Sequence, residues 1–566
     1  MYEELKHTWD ELTAPGQLFE IETLQVRGSP MRAYKHAPAS LRDIWMGTAA
    51  FQDREYLIFQ QERHTYARSH QFTASIAHWL AEQGVQPGDR VAIAMRNYPE
   101  WMLAYWAVVS MGAVVVGMNA WWVSQEMSYA LKDSTPKVLI ADRERVAQFL
   151  EIADEFPDIV VAGVRLGDAV PDRVVDWAEV INSKPEMPEV TIDPDDDACI
   201  FYTSGTTGTP KGAQLTHRGC VSNLMNIGFT QALTRESLAK AGLKSKGSMA
   251  ADEVNVALVA TPLFHVTGNN CVAQGIAATG GKLIHMYKWD AGEALRIVEE
   301  EKVTTFSAVP MMSREMMLHP DFATRDTSSL KSMGGGGAAV QPDLTKKLHD
   351  TMENAAPNAG YGMTETCGII SALSGIYLVD RPTSVGRALP TFEAKCVDGQ
   401  GNTVPTGEPG ELWVRGACVI KGYLNRPEAT AETITDGWLH TGDIAYMDED
   451  AFIHLVDRAK EMVLRGGENV YCAEVESAIF ADDAVAECVV FGVEDERLGE
   501  EVAAAIYPKT GASVDVDQLR MSLRDKMASY KIPRYIWVVD APLPRNANGK
   551  FVKREVRDAL SLADAV

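Results

Sequence analysis

The sequence predicts an α/β fold with a large N-terminal domain of two layered α/β subdomains plus a small β-rich subdomain, followed by a small α+β C-terminal domain. Three observations favour this fold class. Up to about residue 384, short apolar runs alternate with helical stretches, which is typical of parallel sheets covered by helices. Short strands separated by Gly and Pro turns come next. After Glu461, helical and strand patterns alternate over roughly a hundred residues, enough for a separate domain.

The first part of the chain supplies the elements of one layered unit. Residues 56–66 predict a hairpin, because two apolar-alternating runs flank the polar QERH, and helical spacing follows at residues 69–83. GVQPGDRVAIAMRN then gives a turn and a strand, a helix and a strand follow through Val116, and KVLIADRE gives another strand. Residues 185–197 are rich in Pro and acids, and they indicate a linker that separates two subdomains.

The next part predicts the second unit and the β-rich subdomain. Short β-rich runs at residues 255–262, 282–286 and 304–309 are separated by helical stretches such as residues 291–302, which indicates a second layered α/β unit. Turn residues break GRALPTFEAKCVDGQGNTVPTGEPGELWVRG into short strands. We therefore expect a small sheet between the layered units and the C-terminal domain.

Composition and charge exclude several classes of function. The 566 residues are expected to form about two to four compact units. With 46% hydrophobic and 23% charged residues the chain resembles a soluble globular protein, and its net charge of −25 argues against general binding to nucleic acid or to membrane surfaces. The 8 cysteines include no CxxC pair, and the charged N-terminus lacks a signal-peptide core. We expect reduced thiols and a cytoplasmic protein.

One apolar segment challenges the soluble interpretation. Residues 101–125 carry no Asp, Glu, Lys or Arg and are long enough to cross a bilayer. The segment nevertheless splits into a helical half, WMLAYWAVVSMG, and a β-branched half, AVVVGMN. A buried helix followed by a buried parallel strand is therefore the favoured prediction, and no integral membrane segment is expected. A membrane-spanning helix is the alternative.

Residues 202–212, YTSGTTGTPKG, predict a loop that binds polyphosphate. Hydroxyl side chains, glycines and Lys211 follow the short apolar DACIFY, which indicates a strand that delivers the loop. Glycines let main-chain N–H groups approach an anion, and hydroxyl groups donate hydrogen bonds to it. The Walker pattern is absent, so an ordinary P-loop ATPase is disfavoured. A polar surface linker is the alternative explanation of this composition.

Five further motifs accompany this loop. They are SMGGGGAAV at residues 332–340, GYGMTET at 360–366, TGD at 441–443, DRAKEMVLRGGENVYCAEVE at 457–476 and NGK at 548–550. Their order and spacing resemble the superfamily of adenylate-forming enzymes, which unites acyl-CoA synthetases, peptide-synthetase adenylation domains and luciferases. The resemblance runs from about residue 56 to near the C-terminus, and it is greatest to bacterial acyl-CoA ligases of the fatty-acid type.

The resemblance implies an ATP-dependent carboxylic acid:CoA ligase that uses ATP, Mg²⁺ and coenzyme A. A carboxylate is a poor electrophile, and joining it to AMP creates a good leaving group. The acid would first form an acyl adenylate and pyrophosphate, and a thiolate would then attack to give acyl-CoA and AMP. An aryl-CoA ligase and a ligase that loads a carrier protein are the alternatives. A homodimer is a further expectation for its assembly.

The resemblance also implies which residues bind the nucleotide and coenzyme A. The loop at 202–212 would hold the phosphates that leave as pyrophosphate, the glycine run would lie against adenine, and Tyr361 would stack on its other face. Asp443 would bind the ribose hydroxyls, with Arg458 beside it. The implied binding residues are Thr203, Ser204, Gly205, Thr206, Thr207, Gly208, Lys211, Gly335, Gly336, Gly337, Ala338, Tyr361, Gly362, Met363, Asp443, Arg458, Lys460, Gly466, Gly467 and Glu468.

The catalytic residues and the domain limits come from the same resemblance. Lys550 would offset the charge of the attacking carboxylate and the α-phosphate, and Thr364 and Glu365 match positions that contact this phosphate and Mg²⁺. The implied catalytic residues are Lys550, Thr364, Glu365 and His265, and the implied metal ligands are Thr207 and Glu365. Residues 1–457 would form the AMP-binding and acyl-binding domain, 458–461 the hinge, and 462–566 a mobile C-terminal domain.

Three positions bear on specificity or depart from the family pattern. PLFHVTG at residues 262–268 resembles the acyl-pocket segment of fatty-acid and aryl ligases, and His265 replaces the Asp that amino-acid-activating members usually have. A structural histidine is the alternative. Arg465 and Cys472 stand where many members have Ser and Pro. Cys472 is expected to be a small buried thiol, whereas Arg465 is equally compatible with binding the CoA phosphates and with solvation.

Overall fold

The computed structural model describes residues 1–167, 169–203, 210–243, 246–247, 249, 253–338, 340, 342–458, 461–465, 468–524, 526–546 and 549–566. Its helices are α1 (Tyr2–Leu12), α2 (Leu41–Gly47), α3 (Tyr66–Glu82), α4 (Pro99–Ser110), α5 (Ser124–Ser134), α6 (Arg143–Leu150), α7 (Trp177–Ile181), α8 (His217–Lys240), α9 (Val266–Gly268), α10 (Gln274–Ala278), α11 (Ala291–Glu301), α12 (Pro310–Leu318), α13 (Pro342–Thr351), α14 (Ile376–Asp380), α15 (Pro427–Thr433), α16 (Cys472–Phe480), α17 (Val516–Arg524) and α18 (Lys553–Ala559).

The strands are β1 (Ile21–Val26), β2 (Ser29–Tyr34), β3 (Glu55–Phe59), β4 (Glu62–Thr65), β5 (Arg90–Ala94), β6 (Val114–Gly117), β7 (Val138–Asp142), β8 (Val160–Val164), β9 (Val174–Asp176), β10 (Asp197–Thr203), β11 (Lys211–Thr216), β12 (Val256–Val259), β13 (Lys282–His285), β14 (Thr305–Ala308), β15 (Ser332–Gly336), β16 (Ala356–Met363), β17 (Gly368–Ser374), β18 (Ser384–Arg387), β19 (Phe392–Val397), β20 (Gly410–Gly416), β21 (Ile434–Thr435), β22 (Trp438–Met447), β23 (Phe452–Arg458), β24 (Val463–Arg465), β25 (Glu468–Val470), β26 (Val485–Asp495), β27 (Gly499–Pro508) and β28 (Tyr535–Val538).

Two large, mostly parallel sheets form the layered part of the molecule. The first has the order β11-β10-β6-β5-β7-β8-β9, and only the β10–β11 pair is antiparallel. The second has the order β17-β16-β15-β14-β12-β13-β3-β4, with antiparallel pairs at its two ends. Parallel strands with helical crossovers between them are what the alternating pattern predicted.

The predicted hairpin is confirmed, but the predicted role of the linker is wrong. β3 and β4 pair as an antiparallel hairpin, and they extend the second sheet although they precede the first sheet in the chain. Residues 185–196 contain no helix or strand, as expected of a linker. The strands that follow it, β10 and β11, complete the first sheet beside β6. The linker therefore lies within the first layered unit and does not separate the two units.

The apolar segment at residues 101–125 contains a buried helix and a buried strand. α4 is buried on every side, with Trp106 stacked on Trp45 at a centroid distance of 5.2 Å, and β6 lies between β5 and β10. A helix that is hydrophobic on all sides, as α4 is, is typical of a protein core. Among the described residues no helix is long and apolar enough to cross a membrane.

Two smaller sheets complete the fold class predicted from the sequence. The β-rich subdomain is an antiparallel sheet of order β18-β23-β22-β20-β19, with β21 paired to β22. The C-terminal sheet has the order β25-β24-β27-β26, with β28 parallel to β27, and α16 and α17 pack on its buried face. β23 ends at Arg458, so the connection to the C-terminal sheet leaves directly from the β-rich subdomain.

Candidate active site

The glycine run after residue 332 forms a central strand. Gly334, Gly335 and Gly336 lie in β15 between β14 and β16. A side-chain carbon at Gly335 would come 1.9 Å from the carbonyl oxygen of Ala308, and one at Gly336 would come 2.2 Å from that of Gly360. Glycine is required here by close backbone packing. Gly337, with φ +82°, ends the strand, and Ala338 follows it.

Tyr361, Asp443 and Arg458 form one hydrogen-bonded group. The Tyr361 hydroxyl donates to Oδ2 of Asp443 at 2.6 Å, and Nε of Arg458 lies 3.1 Å from Oδ1 of the same carboxylate. β22 and β23 place Asp443 directly opposite Arg458, and β16 delivers Tyr361. Burial raises the pKa of Asp443, although the Arg458 charge and the Tyr361 hydroxyl oppose the rise.

The turn that follows β16 carries Thr364 and Glu365. Gly362 and Met363 are the last residues of β16, Thr364–Thr366 form a short 3-10 turn, and Cys367 has the left-handed φ of 55°. The Tyr423 hydroxyl donates to Oε1 of Glu365 at 2.8 Å. The ammonium of Lys211 lies 5.2 Å from the centre of the Tyr423 ring. Tyr423 therefore connects the base of the predicted phosphate loop to Glu365.

The two ends of the predicted phosphate loop are held in register. Thr203 ends β10, Lys211 begins β11, and the two residues are antiparallel partners. The loop itself, with Ser204, Gly205, Thr206, Thr207 and Gly208, lies outside the described residues, and the predicted metal ligand Thr207 is among them. Glu365 is the described member of the predicted metal pair. No cluster of three or more possible His, Cys, Asp or Glu metal ligands occurs among the described residues.

Lys550, on a turn of the C-terminal domain, comes near the same group of residues. The side chain is largely buried, and the charges that act on it come from Arg458, Asp443, Glu365 and Glu461. Burial, followed by the Arg458 charge, lowers the pKa of Lys550 below its ordinary value. The charges of three residues selected by sequence motifs, Arg458, Asp443 and Glu365, therefore act on the predicted catalytic lysine.

His265 lies close enough to Lys550 to feel its charge. Burial, followed by the Lys550 charge, lowers the pKa of His265 to about 3. Its Nδ1 accepts a hydrogen bond from the backbone N–H of Thr267 at 3.2 Å, so the neutral ring carries its proton on Nε2. The residue begins the helical stretch that runs through α9, a π-helical turn at Asn269–Ala273 and α10. His265 is therefore a neutral imidazole that can donate from Nε2.

The segment around the predicted thiol path has a different environment. Lys460, Gly466 and Gly467 lie outside the described residues. Glu468 is exposed and pairs with Arg465 across β24 and β25. Arg465 forms an ion pair with the fully buried Glu501, with Nη2 of Arg465 3.0 Å from Oε2. Its guanidinium is therefore engaged within the C-terminal sheet, and a role in binding the CoA phosphates stays a prediction.

Sequence reasoning missed several residues that hold the site together. Nδ2 of Asn270 donates to the carbonyl of Cys367 at 3.0 Å, and Oδ1 of Asn223 accepts from the N–H of Ile369 at 2.9 Å. These buried amides fix the far end of the Thr364–Glu365 turn. Tyr423 was missed as well, because its partner Glu365 is distant in the chain. The adjacent Asn269 and Asn270, two amides within an apolar stretch, were a signal in the sequence that this segment contains buried polar contacts.

Comparison with known proteins identifies the family. A family model described as AMP-binding enzyme matches residues 45–424, and one for the C-terminal domain of AMP-binding enzymes matches residues 474–550. The chain belongs to the AMP-binding enzyme family. Its membership confirms the predicted superfamily, fold class and enzyme class.

Relatives in this family align over nearly the whole chain. Feruloyl-CoA synthase from Amycolatopsis sp is 37% identical over 495 residues, which cover 87% of this chain and 93% of that protein. The long-chain-fatty-acid–CoA ligase of Bacillus subtilis is 30% identical over 547 residues, with 91% and 94% covered. The structure of o-succinylbenzoate CoA synthetase from Bacillus subtilis with its acyl-adenylate intermediate superimposes with a TM-score of 0.74 at 28% identity, covering 91% and 98%.

Proposed function

We propose that this protein is an AMP-forming ligase that joins a carboxylic acid to coenzyme A through an acyl adenylate. The observation that carries the proposal is the meeting of Tyr361, Asp443 and Glu365 with Lys550 in one crevice. Tyr361 and Asp443 lie in strands of two different sheets, Glu365 lies in the turn after β16, and Lys550 lies in the C-terminal part of the chain. A nucleotide-binding group, a carboxylate suited to a hard cation and an ammonium are together what adenylation of an acid requires.

The first half-reaction is the attack of the acid carboxylate on the α-phosphate of ATP. Tyr361 would stack on adenine while its hydroxyl holds Asp443, and Asp443 would accept hydrogen bonds from the ribose diol. Two anionic groups must approach each other, and the Lys550 ammonium offsets their repulsion. His265, kept neutral by burial, would offer its Nε2 proton to the acid without adding charge.

Glu365 is the residue that we assign to Mg²⁺. Tyr423 occupies Oε1 of this carboxylate, which leaves Oε2 for a hard cation that prefers carboxylate and phosphate oxygens. Bound there, Mg²⁺ would neutralise part of the phosphate charge. Thr364 and Lys211 would add donors to the phosphates on either side of it.

The second half-reaction needs a path for a thiol into a crevice that first had to exclude water. We propose that residues 462–566 move as one domain about the hinge at 458–461, while residues 1–457 keep the acyl adenylate. Lys550 would leave with the moving domain, and the segment that contains Gly466, Gly467 and Glu468 would line the thiol path.

We propose an aromatic acid as the substrate class. The feruloyl-CoA synthase relative is 37% identical and the fatty-acid ligase relative 30%, over similar shares of this chain. Phe264, next to His265, packs edge-on against the half-exposed Trp121 at a centroid distance of 5.5 Å. An aromatic wall beside the acid carboxylate suits a planar acid. Long-chain acids, as in the fatty-acid ligase relative, are the second candidate.

We assign the protein to the cytoplasm, because its cysteines are free thiols.

Pyrophosphate release across an acid panel tests this proposal. Hydroxycinnamic, benzoic, medium-chain and long-chain acids should be assayed with Mg²⁺ and ATP, with and without coenzyme A, and with Lys550→Ala as the inactive control. We expect pyrophosphate with an aromatic acid and a thioester of matching mass when coenzyme A is present. If pyrophosphate is released and an added carrier protein is acylated, but no CoA thioester forms, the acceptor is a carrier protein and not coenzyme A. No pyrophosphate and no AMP with any acid would refute the ligase assignment.

A further inference from the structure

Two contacts reach Cys472, one from the residue before the segment 458–461 and one from the last residue of that segment. The backbone N–H of Cys472 donates to Oδ2 of Asp457, and its thiol donates to the carbonyl oxygen of Glu461 at 3.0 Å. Asp457 lies in β23 of the β-rich subdomain, whereas Cys472 begins α16 of the C-terminal domain. Tyr471 provides no side-chain cap for this helix. The Asp457 carboxylate therefore serves as the cap of α16 from outside the C-terminal domain.

Glu461 is fixed to the C-terminal domain by the partly buried Lys553. The Lys553 ammonium lies 3.1 Å from Oε2 of Glu461 and 3.2 Å from Oε1 of Glu476, and it donates to the carbonyl of Val490 at 3.0 Å. These contacts join α18, α16 and β26 to the last residue of the segment. They would stay together if the C-terminal domain moved as a body. The hydrogen bond between Asp457 and Cys472 is different, because it links the two domains.

The contact between Asp457 and Cys472 belongs to the arrangement that places Lys550 in the crevice. Lys550 is three residues before Lys553, and both belong to the body that carries α16. A rotation about residues 458–461 that withdraws Lys550 must change the separation of Asp457 from α16. A proline at residue 472 would lack both the N–H and the thiol, so it could make neither contact.

We propose that Asp457 and Cys472 form a clamp that favours the adenylating arrangement of the two domains, so that this chain is biased toward adenylation over thioester formation. The inference rests on the proposed function for its two half-reactions. Asp457 and Cys472 are positioning residues in it, because they act through the placement of Lys550. A charge-assisted hydrogen bond in a protected position is strong enough to shift such an equilibrium about tenfold.

The test measures the two half-reactions separately in the full-length protein. Adenylation is followed as pyrophosphate release in a single turnover, and thioester formation as the decay of preformed enzyme-bound acyl adenylate after mixing with coenzyme A. The variants are Cys472→Pro, which removes the N–H and the thiol, Cys472→Ala, which keeps the N–H, and Asp457→Asn. Proline suits the first position of a helix, and the extended Tyr471 (φ −85°, ψ 115°) suits the residue before it, so the variant should fold.

The matched control is Asp515→Asn. Asp515 accepts from the N–H groups of Asp517 and Gln518, both at 3.1 Å, and so caps α17 in the same domain away from the segment 458–461. We expect Cys472→Pro to lower the ratio of adenylation rate to thioester rate about tenfold and Asp457→Asn to lower it about threefold. Cys472→Ala and Asp515→Asn should leave the ratio within twofold.

Tryptic cleavage after Arg458 gives a second readout that needs no activity. Loss of the clamp should speed this cleavage several-fold in Cys472→Pro and Asp457→Asn, but not in Asp515→Asn. An unchanged ratio in Cys472→Pro would overturn the bias, and unchanged cleavage as well would overturn the clamp. If wild-type protein forms no adenylate with any acid, the proposed function fails, and the cleavage rates still decide whether the clamp exists.

Discussion

The crevice is built from two unlike halves. In the half that comes from residues 1–458, reactive side chains already hold one another: Tyr361 bonds Asp443 at 2.6 Å, and Tyr423 bonds Glu365 at 2.8 Å. In the other half Lys550 sits on a turn, where its own N–H donates to Oδ1 of Asn546 at 3.1 Å. Within the described residues its ammonium forms no ion pair. The difference supports the proposal of a prearranged nucleotide site to which the charge of Lys550 is delivered.

The largest effect should come from removing the delivered charge. Lys550→Ala should slow adenylation by about 100-fold or more, because the repulsion between carboxylate and α-phosphate is no longer offset. The KM for ATP should change little, since the prearranged half binds the nucleotide. Single-turnover pyrophosphate release gives both values. Lys526→Ala, at an exposed lysine of the same domain, serves as control. A large rise in the KM for ATP with an unchanged rate of adenylation would show that Lys550 contributes to nucleotide binding and not to the chemical step.

The prearranged half is tested by Glu365→Gln. The amide keeps an oxygen for the Tyr423 hydroxyl but loses the charge that suits a cation, so we expect a roughly 30-fold lower rate of adenylation and weaker dependence on Mg²⁺. A magnesium titration of pyrophosphate release measures both. Glu428→Gln, at an exposed residue of α15, is the control. An unchanged magnesium titration would remove Glu365 from the metal site.

The pH dependence of adenylation should report on Lys550. Burial lowers its pKa below the ordinary 10.5, so the free enzyme loses this proton, and with it kcat/KM for ATP, at a lower pH than an exposed lysine would. The rate should fall about tenfold per pH unit above that pKa. Lys550→Arg should move the alkaline limb to higher pH. If the alkaline limb lies at the same pH in the wild-type protein and in Lys550→Arg, it reports the titration of another group.

The smallest effect is expected at the contact that orients Glu365. Tyr423→Phe removes one hydrogen bond worth about 1 kcal/mol, so adenylation should slow roughly fivefold. Tyr446→Phe, whose ring stacks on His454, gives a matched loss of a hydroxyl. Circular dichroism and thermal melting check that both variants fold. Equal rates for the two variants would mean that the Glu365 carboxylate needs no support from Tyr423.

What could be predicted from the sequence was local. The motif residues Tyr361, Glu365, Asp443 and Lys550 were identified because each lies in a short pattern, and the structure brings them together as the resemblance implied. The fold class followed from alternating periodicity. Their individual roles stay predictions. So do those of Ser204 to Gly208, Lys460, Gly466 and Gly467, which lie outside the described residues.

What could not be predicted depends on distant pairing. The hairpin of β3 and β4 joins a sheet whose other strands begin about two hundred residues later, and no periodicity specifies such a neighbour. The same holds for Tyr423 with Glu365 and for Asp457 with Cys472, since a single Tyr or Cys carries no signal of its partner. The linker at 185–197 was recognised, but its composition says nothing about which sheet receives β10.

The three glycines of β15 also limit how this enzyme could change during evolution. A methyl group at residue 334, 335 or 336 would come within 2.2 Å of a backbone oxygen of a neighbouring strand. Substitution of any of these three glycines would therefore disrupt the packing of the strand. Under the proposed function, a change in the acid that is bound would therefore require substitutions at other side chains, such as those near His265 and Trp121. Relatives with different substrates should keep this strand unchanged and differ around it.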